Sequence, residues 1–435
     1  DTSDLVLRLL PPRIRPVVVL TAAALAMSSL SVVYSFGNLL PYLSSYLHLR
    51  VDASITTGSM IWLQTLLNGV PFSMLIGGVA EQALGGRTAA LLGCSLYSLS
   101  IAMSSVAVEW SYGWLLVCFG LFPSFGSGIA YNAILITAQR WYPERVGLAS
   151  GVTVAGFGCG AFFMSPLQTA LINPEGFMVN QDGYFTQEEL LDRVPGVFLA
   201  MSGVFVIIQL IGLTFLGCPC ETLILEDEEH LLVSCLLSLS SLSLSLSLSL
   251  SLSLVFFLCP SLSLSLSLSL YLSLPLQAYG LQFIDSDLFL SLVSSISAVF
   301  NCASRISWGL IADKSSYQLA MIVNSAAAAV VAWSLPLTAF LANRMLFLVV
   351  MCVVFCCVGG TYSLLPFASS RVFGQERFGV MYGLVQLSLS LGGIVSGLFG
   401  QFLLPVLGYD RMFLVVGVLP VISFIITAFF HLTSL

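Results

Sequence analysis

The sequence predicts an all-α membrane protein whose twelve helices form two pseudo-symmetric halves of six. Three observations carry this prediction. Hydrophobic residues make up 58% of the 435 residues and charged residues only 8%, with a mean hydropathy of +1.00, whereas soluble domains carry roughly 25% charged residues. Apolar runs of about 20 residues, the length of a membrane helix, recur along the chain. Two short motifs repeat at one fixed offset.

Eleven apolar runs, separated by charged or Pro- and Gly-containing breaks, are predicted to span the membrane. They cover residues 17–39, 54–78, 88–108, 113–139, 146–171, 195–217, 287–311, 317–341, 345–368, 378–403 and 411–433. An odd number of spans would place the two termini on opposite sides of the membrane. The topology therefore depends on whether the Ser- and Leu-rich region before residue 287 contains one more span.

The placement of lysine and arginine favours twelve spans, because cytoplasmic loops carry an excess of these residues. With a cytoplasmic N-terminus and one span in the Ser–Leu region, nine of the 14 Lys and Arg residues face inward, four face outward and Arg305 lies within a span. Without that span the inward excess is smaller. Both termini are therefore expected to be cytoplasmic, and the plasma membrane is the expected location.

An internal repeat supports the same count. Gly77-Gly-Val-Ala-Glu81-Gln82 matches Gly309-Leu-Ile-Ala-Asp313-Lys314, which lies 232 residues later. Gly147-Leu-Ala-Ser-Gly151 matches Gly379-Val-Met-Tyr-Gly383 at the same offset. A shared offset at two separate places indicates two parallel six-span halves, which is the signature of major facilitator carriers.

The first span shifted by 232 residues falls on 249–271, where Ser and Leu alternate. An isolated strand could not satisfy its backbone in lipid, so two interpretations remain. The tract is either a marginal seventh helix kinked at Pro260, or the translation of a CT dinucleotide repeat that has replaced most of that span. The predicted domains are residues 1–217 as the N-terminal half, 218–248 as a cytoplasmic linker that is first acidic and then Ser/Leu-rich, and 249–435 as the C-terminal half.

The loop predicted between the second and third spans resembles the facilitator loop motif of glycines, an acid and a terminal arginine. Its residues are Gly78, Glu81, Gly85 and Arg87. The glycines permit a tight turn with positive φ, and the acid and base can lock neighbouring helix ends in one state of a carrier and release them in another. A plain short loop would also be glycine-rich, but the repeat extends the motif to Gly309, Asp313 and Lys314.

The most specific stretches are Gly126-Ser-Gly128-Ile-Ala-Tyr131-Asn132, the run from Arg140-Trp-Tyr-Pro-Glu-Arg145 to Gly151, and Asn301-Cys-Ala-Ser-Arg305-Ile-Ser-Trp308-Gly309. Together they resemble the oxalate–formate antiporter and monocarboxylate transporter branch of the major facilitator superfamily. The resemblance covers nearly the whole chain except about residues 218–275. It implies a twelve-helix carrier of small organic anions without a cofactor, and it adds Arg140 and Arg145 to the gating residues.

Arg305 is the predicted substrate-binding residue. It is the only clearly intramembrane ionisable residue of the sequence, and Asp313, eight residues later, marks the helix end. At about 1.5 Å per residue, Arg305 lies about 12 Å inside the membrane, too deep for easy snorkelling. An arginine there costs about 2.5–3.5 kcal/mol on insertion scales, and its guanidinium can grip a carboxylate with two hydrogen bonds. The resemblance assigns the eighth-span arginine of this branch to anion binding.

Four further residues are predicted to line the cavity. Asn301 precedes Arg305 by one helical turn and can orient its side chain, and Tyr131 follows the small residues Gly126 and Gly128. Interface packing is the alternative role of Tyr131. Two more tyrosines on other predicted spans complete the set. These two are Tyr34 and Tyr362.

The sequence departs from the family pattern at two places. Dicarboxylate exchangers of this branch carry a lysine on the eleventh span, where this chain has Leu389. A single buried cation balances a monocarboxylate, whereas a dianion would leave one charge unpaired. Proton-coupled relatives use a first-span lysine and an acid near the eighth-span arginine, but span one has no Lys or Arg and span eight has no acid between Asp287 and Asp313. Proton coupling therefore stays open.

The predicted function is transport of a small monocarboxylate of the pyruvate, lactate or formate class by alternating access. A facilitator for another small solute and a non-transporting relative remain the alternatives. No catalytic residues, metal site, cofactor or nucleic-acid patch are predicted, because the sequence lacks an acid/base pair at membrane depth, metal-ligand spacing and a basic stripe. The expected partners are the organic anion and the bilayer; protons and an accessory membrane protein stay open.

Overall fold

The computed structural model describes residues 5–55, 59–67, 70, 72–177, 180, 184–217, 219, 279, 283–284, 287–398 and 404–429. The Ser–Leu tract, the predicted seventh span and, apart from residue 219, the linker 218–248 lie outside the described residues. The helices of the described part are α1 (Leu5–Arg8), α2 (Arg15–Ser28), α3 (Val32–Tyr46), α4 (Met60–Leu67), α5 (Ser73–Leu84), α6 (Gly86–Trp110), α7 (Tyr112–Leu115), α8 (Phe122–Arg140), α9 (Val146–Ile172), α10 (Glu188–Thr214), α11 (Asp287–Lys314), α12 (Tyr317–Phe340), α13 (Arg344–Leu398), α14 (Leu404–Val416) and α15 (Val418–Phe429).

Eight segments of the described residues are long and apolar enough to cross a membrane. They are Arg15–Val51, Gly86–Trp110, Tyr112–Arg140, Val146–Ile172, Glu188–Thr214, Tyr317–Phe340, Arg344–Gln375 and Val406–Ala428, and each contains or overlaps a predicted span. The other three predicted spans outside the tract also contain helices: α4 and α5 lie in 54–78, α11 covers 287–311, and the second part of α13 begins the span 378–403.

Two glycines interrupt helices that are otherwise continuous in the structure, α13 and α14. Gly374 has φ 72° and ψ 168° and interrupts α13 between the predicted tenth and eleventh spans. Gly408, with φ 72° and ψ 170°, does the same in α14. A positive φ is readily adopted only by glycine, so these residues mark the turns between consecutive membrane segments.

The first predicted span is not one continuous helix. Residues 29–31 separate α2 from α3, and a π-helical turn, Leu47–Val51, continues α3. The amide of Val32, at the start of α3, donates to the hydroxyl of the buried Tyr97 at 3.2 Å. The interruption leaves this amide without a helical acceptor. The Tyr97 hydroxyl replaces that acceptor, as is required in a bilayer, where lipid offers no hydrogen-bond partner.

The chain divides into two compact units, residues 1–137 with 156–219, and residues 138–155 with 220–435. In the first unit, α10 packs against α6 and α2. In the second unit, α13 packs against α11 and α12, and α12 packs against α14 and α15. The first ten residues of α9 thus belong to the second unit, where they meet α11.

Candidate substrate site

Arg305 lies on α11 in the second unit and is 1% exposed. Among the fully buried side chains of the described residues it is the largest. Its Nε donates to Oδ1 of Asn301 at 2.9 Å, and its Nη1 donates to the carbonyl of Val154 at 2.7 Å. The guanidinium carbon lies 5.0 Å from the centre of the Tyr362 ring. The structure therefore brings together three of the predicted substrate residues, Arg305, Asn301 and Tyr362.

Asn301 is held in the orientation that serves Arg305. Its Nδ2 donates to the carbonyl of Phe355 on α13 at 3.1 Å, which turns Oδ1 towards the guanidinium one helical turn away. The predicted contact between residues i and i+4 is present. Because the amide spans α11 and α13, it fixes the direction of the arginine as well as its position.

Two glycines let neighbouring helices approach Arg305. A Cβ at Gly359 of α13 would collide with the Ser304 hydroxyl and lie 2.6 Å from the Asn301 carbonyl oxygen. A Cβ at Gly151 of α9 would lie 2.6 Å from the carbonyl oxygen of Arg305. Small residues of this kind permit close helix packing in lipid, and here they bring α9 and α13 within reach of one side chain.

The guanidinium contacts an amide oxygen, a backbone carbonyl and an aromatic ring. It is always protonated in proteins. A carboxylate reaching this group would gain a charge-assisted hydrogen bond, which is roughly twice as strong as a neutral one. The arrangement is thus suited to holding a small organic anion.

The other two predicted cavity residues belong to the first unit. Tyr131 is 4% exposed and Tyr34 is 38% exposed. Both rings pack edge-on against Phe157 of α9, with centroid distances of 5.5 Å for Tyr131 and 5.4 Å for Tyr34. Phe157 was not predicted as a site residue, although the sequence offered a signal, because it lies between the closely spaced glycines Gly156 and Gly158.

The predicted loop of residues 78–87 is shorter than expected. α5 continues through Gly78 and Glu81 to Leu84, and α6 begins at Gly86, so Gly85 alone forms the turn, with φ 77°. The reason is that Ala, Glu, Gln and Leu, all good helix formers, follow the glycines. Glu81 is buried, and Arg87 donates to the carbonyl of Thr214, the last residue of α10, at 3.4 Å.

The repeated motif ends in a helix cap. The carboxylate of Asp313 accepts hydrogen bonds from the amides of Gly147 at 2.8 Å and Leu148 at 2.7 Å. These amides lie in the first turn of α9, where helix donors lack partners and the helix dipole favours a negative charge. Gly309 packs so closely on Gly147 that a Cβ on either would collide with the other's carbonyl oxygen.

The three remaining gating candidates lie at or next to helix ends. Lys314 is exposed at the last position of α11, Arg140 is the last residue of α8, and Arg145 is exposed immediately before α9. No group of three or more His, Cys, Asp or Glu side chains that could hold a metal ion occurs in the part of the chain that the structure describes.

Comparison with known proteins agrees with this architecture. The profile of the Major Facilitator Superfamily matches residues 19–397. Apicoplast pyruvate carrier 1 of Toxoplasma gondii is 28% identical over 368 residues, covering 74% of this chain and 66% of that protein. The oxalate:formate antiporter of Oxalobacter formigenes is 25% identical over 309 residues, covering 70% of this chain and 66% of that protein. The chain thus spans just under two thirds of the length of each relative.

Among solved structures, the E. coli fucose:proton symporter superposes with a TM-score of 0.69 at 12% identity, over 95% of this chain and 98% of that one. This likeness concerns the fold alone, and it agrees with the helical architecture of both units. Because the family profile covers most of the sequence, from the first predicted span to the eleventh, this chain belongs to the Major Facilitator Superfamily.

Proposed function

We propose that the protein is a carrier of small monocarboxylates that works by alternating access. The observation that supports this most is the buried guanidinium of Arg305, which is oriented by Asn301, Val154 and Tyr362. Two relatives are named as a pyruvate carrier and an oxalate:formate antiporter. Pyruvate, formate and oxalate are small organic anions, for which a buried arginine is a suitable binding group.

The proposed substrate carries one negative charge. Arg305 supplies a single cation, and Leu389 stands where the family resemblance places a second one. A dianion bound at Arg305 alone would carry an unpaired charge into a low-dielectric site, which is costly. Oxalate is therefore disfavoured relative to pyruvate, lactate or formate.

The cap between Asp313 and α9 supplies the proposed gate. Two hydrogen bonds to the amides of Gly147 and Leu148 hold the ends of α9 and α11 together. Opening on this side must break both, so the cap favours the state in which these ends are joined. Glu81, Arg87, Arg140, Arg145 and Lys314 are proposed to assist at the same face of the membrane.

The topology and the domains belong to the proposal as well. Residues 1–217 and 249–435 are taken as the two six-span halves joined by the linker 218–248, with both termini in the cytoplasm. We retain the plasma membrane as the proposed location, although one relative is named for the apicoplast, which makes an organelle membrane the alternative. Localisation of the tagged full chain in its own cells decides between them.

Uptake of labelled solutes into proteoliposomes tests the proposed function. The panel consists of pyruvate, lactate, formate, oxalate, a neutral sugar and an organic cation. Saturable uptake of the three monocarboxylates, with little uptake of oxalate, is the expected result. Preference for the sugar or the cation would favour a facilitator for another solute, and the absence of flux for the whole panel would favour a non-transporting relative.

A further inference from the structure

Residues 359–362 of α13 meet a different partner at each position, because successive helix residues point about 100° apart. Gly359 packs against Ser304 of α11, and Tyr362 lies under the guanidinium of Arg305. Thr361, between them, accepts a hydrogen bond at 3.1 Å from Nδ2 of Asn324 on α12. The side of α13 opposite the candidate site is therefore tied to α12 by a polar contact.

This contact is fully buried, since Asn324 and Thr361 are each 1% exposed. The Thr361 hydroxyl lies 3.2 Å from the carbonyl of Cys357, one turn earlier, and donates to it. Its lone pairs are then available to accept from Asn324, so the two hydrogen bonds are compatible in direction. The pair fixes α13 in rotation about its own axis.

The space around Gly360 leaves α13 little freedom to rotate. A Cβ at Gly360 would lie 2.6 Å from Oδ1 of Asn324 and 2.8 Å from Nε1 of Trp308 on α11. α11, α12 and α13 therefore meet at this glycine. A rotation of α13 that moved the Tyr362 ring would also drive Gly360 against Asn324 or Trp308.

Asn324 keeps this position at a cost. Its Oδ1 is buried without a hydrogen-bond partner among the described residues. An unsatisfied buried carbonyl is expensive, and a leucine of similar size would avoid the cost. The half of the amide that is satisfied is the half that contacts Thr361, which points to that contact as the reason for an asparagine here.

We propose that Asn324 is a positioning residue of the anion site: through Thr361 it sets the rotation of α13, and so holds the Tyr362 ring beneath Arg305. The inference rests on the proposed function for the role of Arg305, but not for the geometry. When the hydrogen bond is lost, only the packing at Gly360 still opposes rotation of α13. The Tyr362 ring is then held less firmly, and the guanidinium more often loses the surface that fixes its direction towards a carboxylate.

Matched variants of the full chain test the proposal. Thr361→Val removes the acceptor at constant shape, Thr361→Ser keeps it, and Asn324→Leu removes the donor. Ser325→Ala is the control, because Ser325 follows Asn324 on α12. Its Oγ lies 3.3 Å from Oγ of Ser423 on α15. The substitution therefore breaks a buried contact that does not reach α13. Each protein is purified and its thermal midpoint is measured.

The first readout is the rate at which phenylglyoxal modifies Arg305, followed by mass spectrometry of the peptide that contains it. Asn324→Leu and Thr361→Val are expected to raise this rate about fivefold, the scale of one lost interhelical hydrogen bond. The double variant is expected to add nothing to the larger single effect, because both changes remove the same contact. Thr361→Ser and Ser325→Ala are expected to match the unmodified protein.

The second readout is pyruvate uptake into proteoliposomes, where the same two variants are expected to raise KM while kcat is nearly retained. Equal modification rates in all variants, or an equal increase in Ser325→Ala, would overturn the positioning role. If the unmodified protein takes up no monocarboxylate, the proposed function fails, whereas the modification rates still decide whether Asn324 positions the site.

Discussion

Replacing Asn301 by aspartate puts a carboxylate where the anion is proposed to bind. In the structure Oδ1 of Asn301 accepts from Nε of Arg305 at 2.9 Å, and Nδ2 donates to the carbonyl of Phe355 at 3.1 Å. Aspartate keeps the shape of the side chain, pairs with the guanidinium and turns its second oxygen towards the Phe355 carbonyl. That oxygen can make a hydrogen bond there only when it carries a proton.

The size of the effect follows from Coulomb's law. Two unit charges about 4 Å apart interact by about 4 kcal/mol at an effective dielectric constant of about 20, which corresponds to a loss of affinity of up to about 1000-fold for a competing carboxylate. Protonation of the introduced carboxylate removes the competitor and restores the hydrogen bond to Phe355. Substrate binding then takes up one proton, so KM is expected to rise by about tenfold per pH unit while the new carboxylate is ionised.

The assay is the initial rate of pyruvate uptake into proteoliposomes from mildly acidic to mildly alkaline pH. Asn301→Leu is the control, because it removes the hydrogen bond to Arg305 without adding a charge. We expect the aspartate variant to gain the added pH dependence relative to the unmodified protein, and the leucine variant to lose affinity equally at every pH. An aspartate variant that transports like the unmodified protein at neutral pH would refute the assignment of Arg305 as the anion site.

Three further predictions concern the turns and caps. Gly85→Ala should destabilise the protein by about 1–3 kcal/mol, because φ is 77° and ψ is 155° there, a conformation essentially restricted to glycine. Gly196→Ala, at an equally open position inside α10, should be neutral or stabilising; thermal midpoints check both. Asp313→Asn should lower the thermal midpoint, since an amide offers one acceptor oxygen where the carboxylate offers two. The hydrogen bond from Arg193 lowers the pKa of Glu175. The stabilisation that this contact gives the outer loop is therefore present above the ordinary carboxyl pKa and lost as pH falls through the lowered value. Limited proteolysis of the loop should show that loss, and Glu175→Gln should abolish the pH dependence of the cleavage.

Hydropathy and helical spacing predict the parts of this structure that depend on neighbouring residues. The contact between Asn301 and Arg305 follows from their separation by one helical turn, and the turn at Gly85 follows from the conformational freedom of glycine. The Val154 carbonyl could not be predicted as a partner of Arg305, because every residue has a backbone carbonyl and its side chain gives no sign of which one is used.

The same reasoning explains the other differences. The interruption of the first span at residues 29–31 was not predicted, although Ser29 and Ser31 offered a signal there. Their hydroxyls donate to the carbonyls of Ala26 and Ser28, the local hydrogen bonding by which serine competes with a continuous helix. Asp313 was identified from the internal repeat, but its partners are the backbone amides of Gly147 and Leu148, which lie far away in sequence. Contacts of this kind depend on how α9 packs against α11, and that packing has no local signature.

The central claim is that the buried charge of Arg305 binds the transported anion. It is tested most directly by pyruvate uptake into proteoliposomes that contain Arg305→Ala, with Arg371→Ala as the control. Arg371 is an exposed arginine of the same unit, whose guanidinium lies 5.5 Å from the Phe367 ring centre. With both proteins inserted in equal amounts, uptake should be abolished in Arg305→Ala and retained in Arg371→Ala. Undiminished uptake by Arg305→Ala would contradict the account.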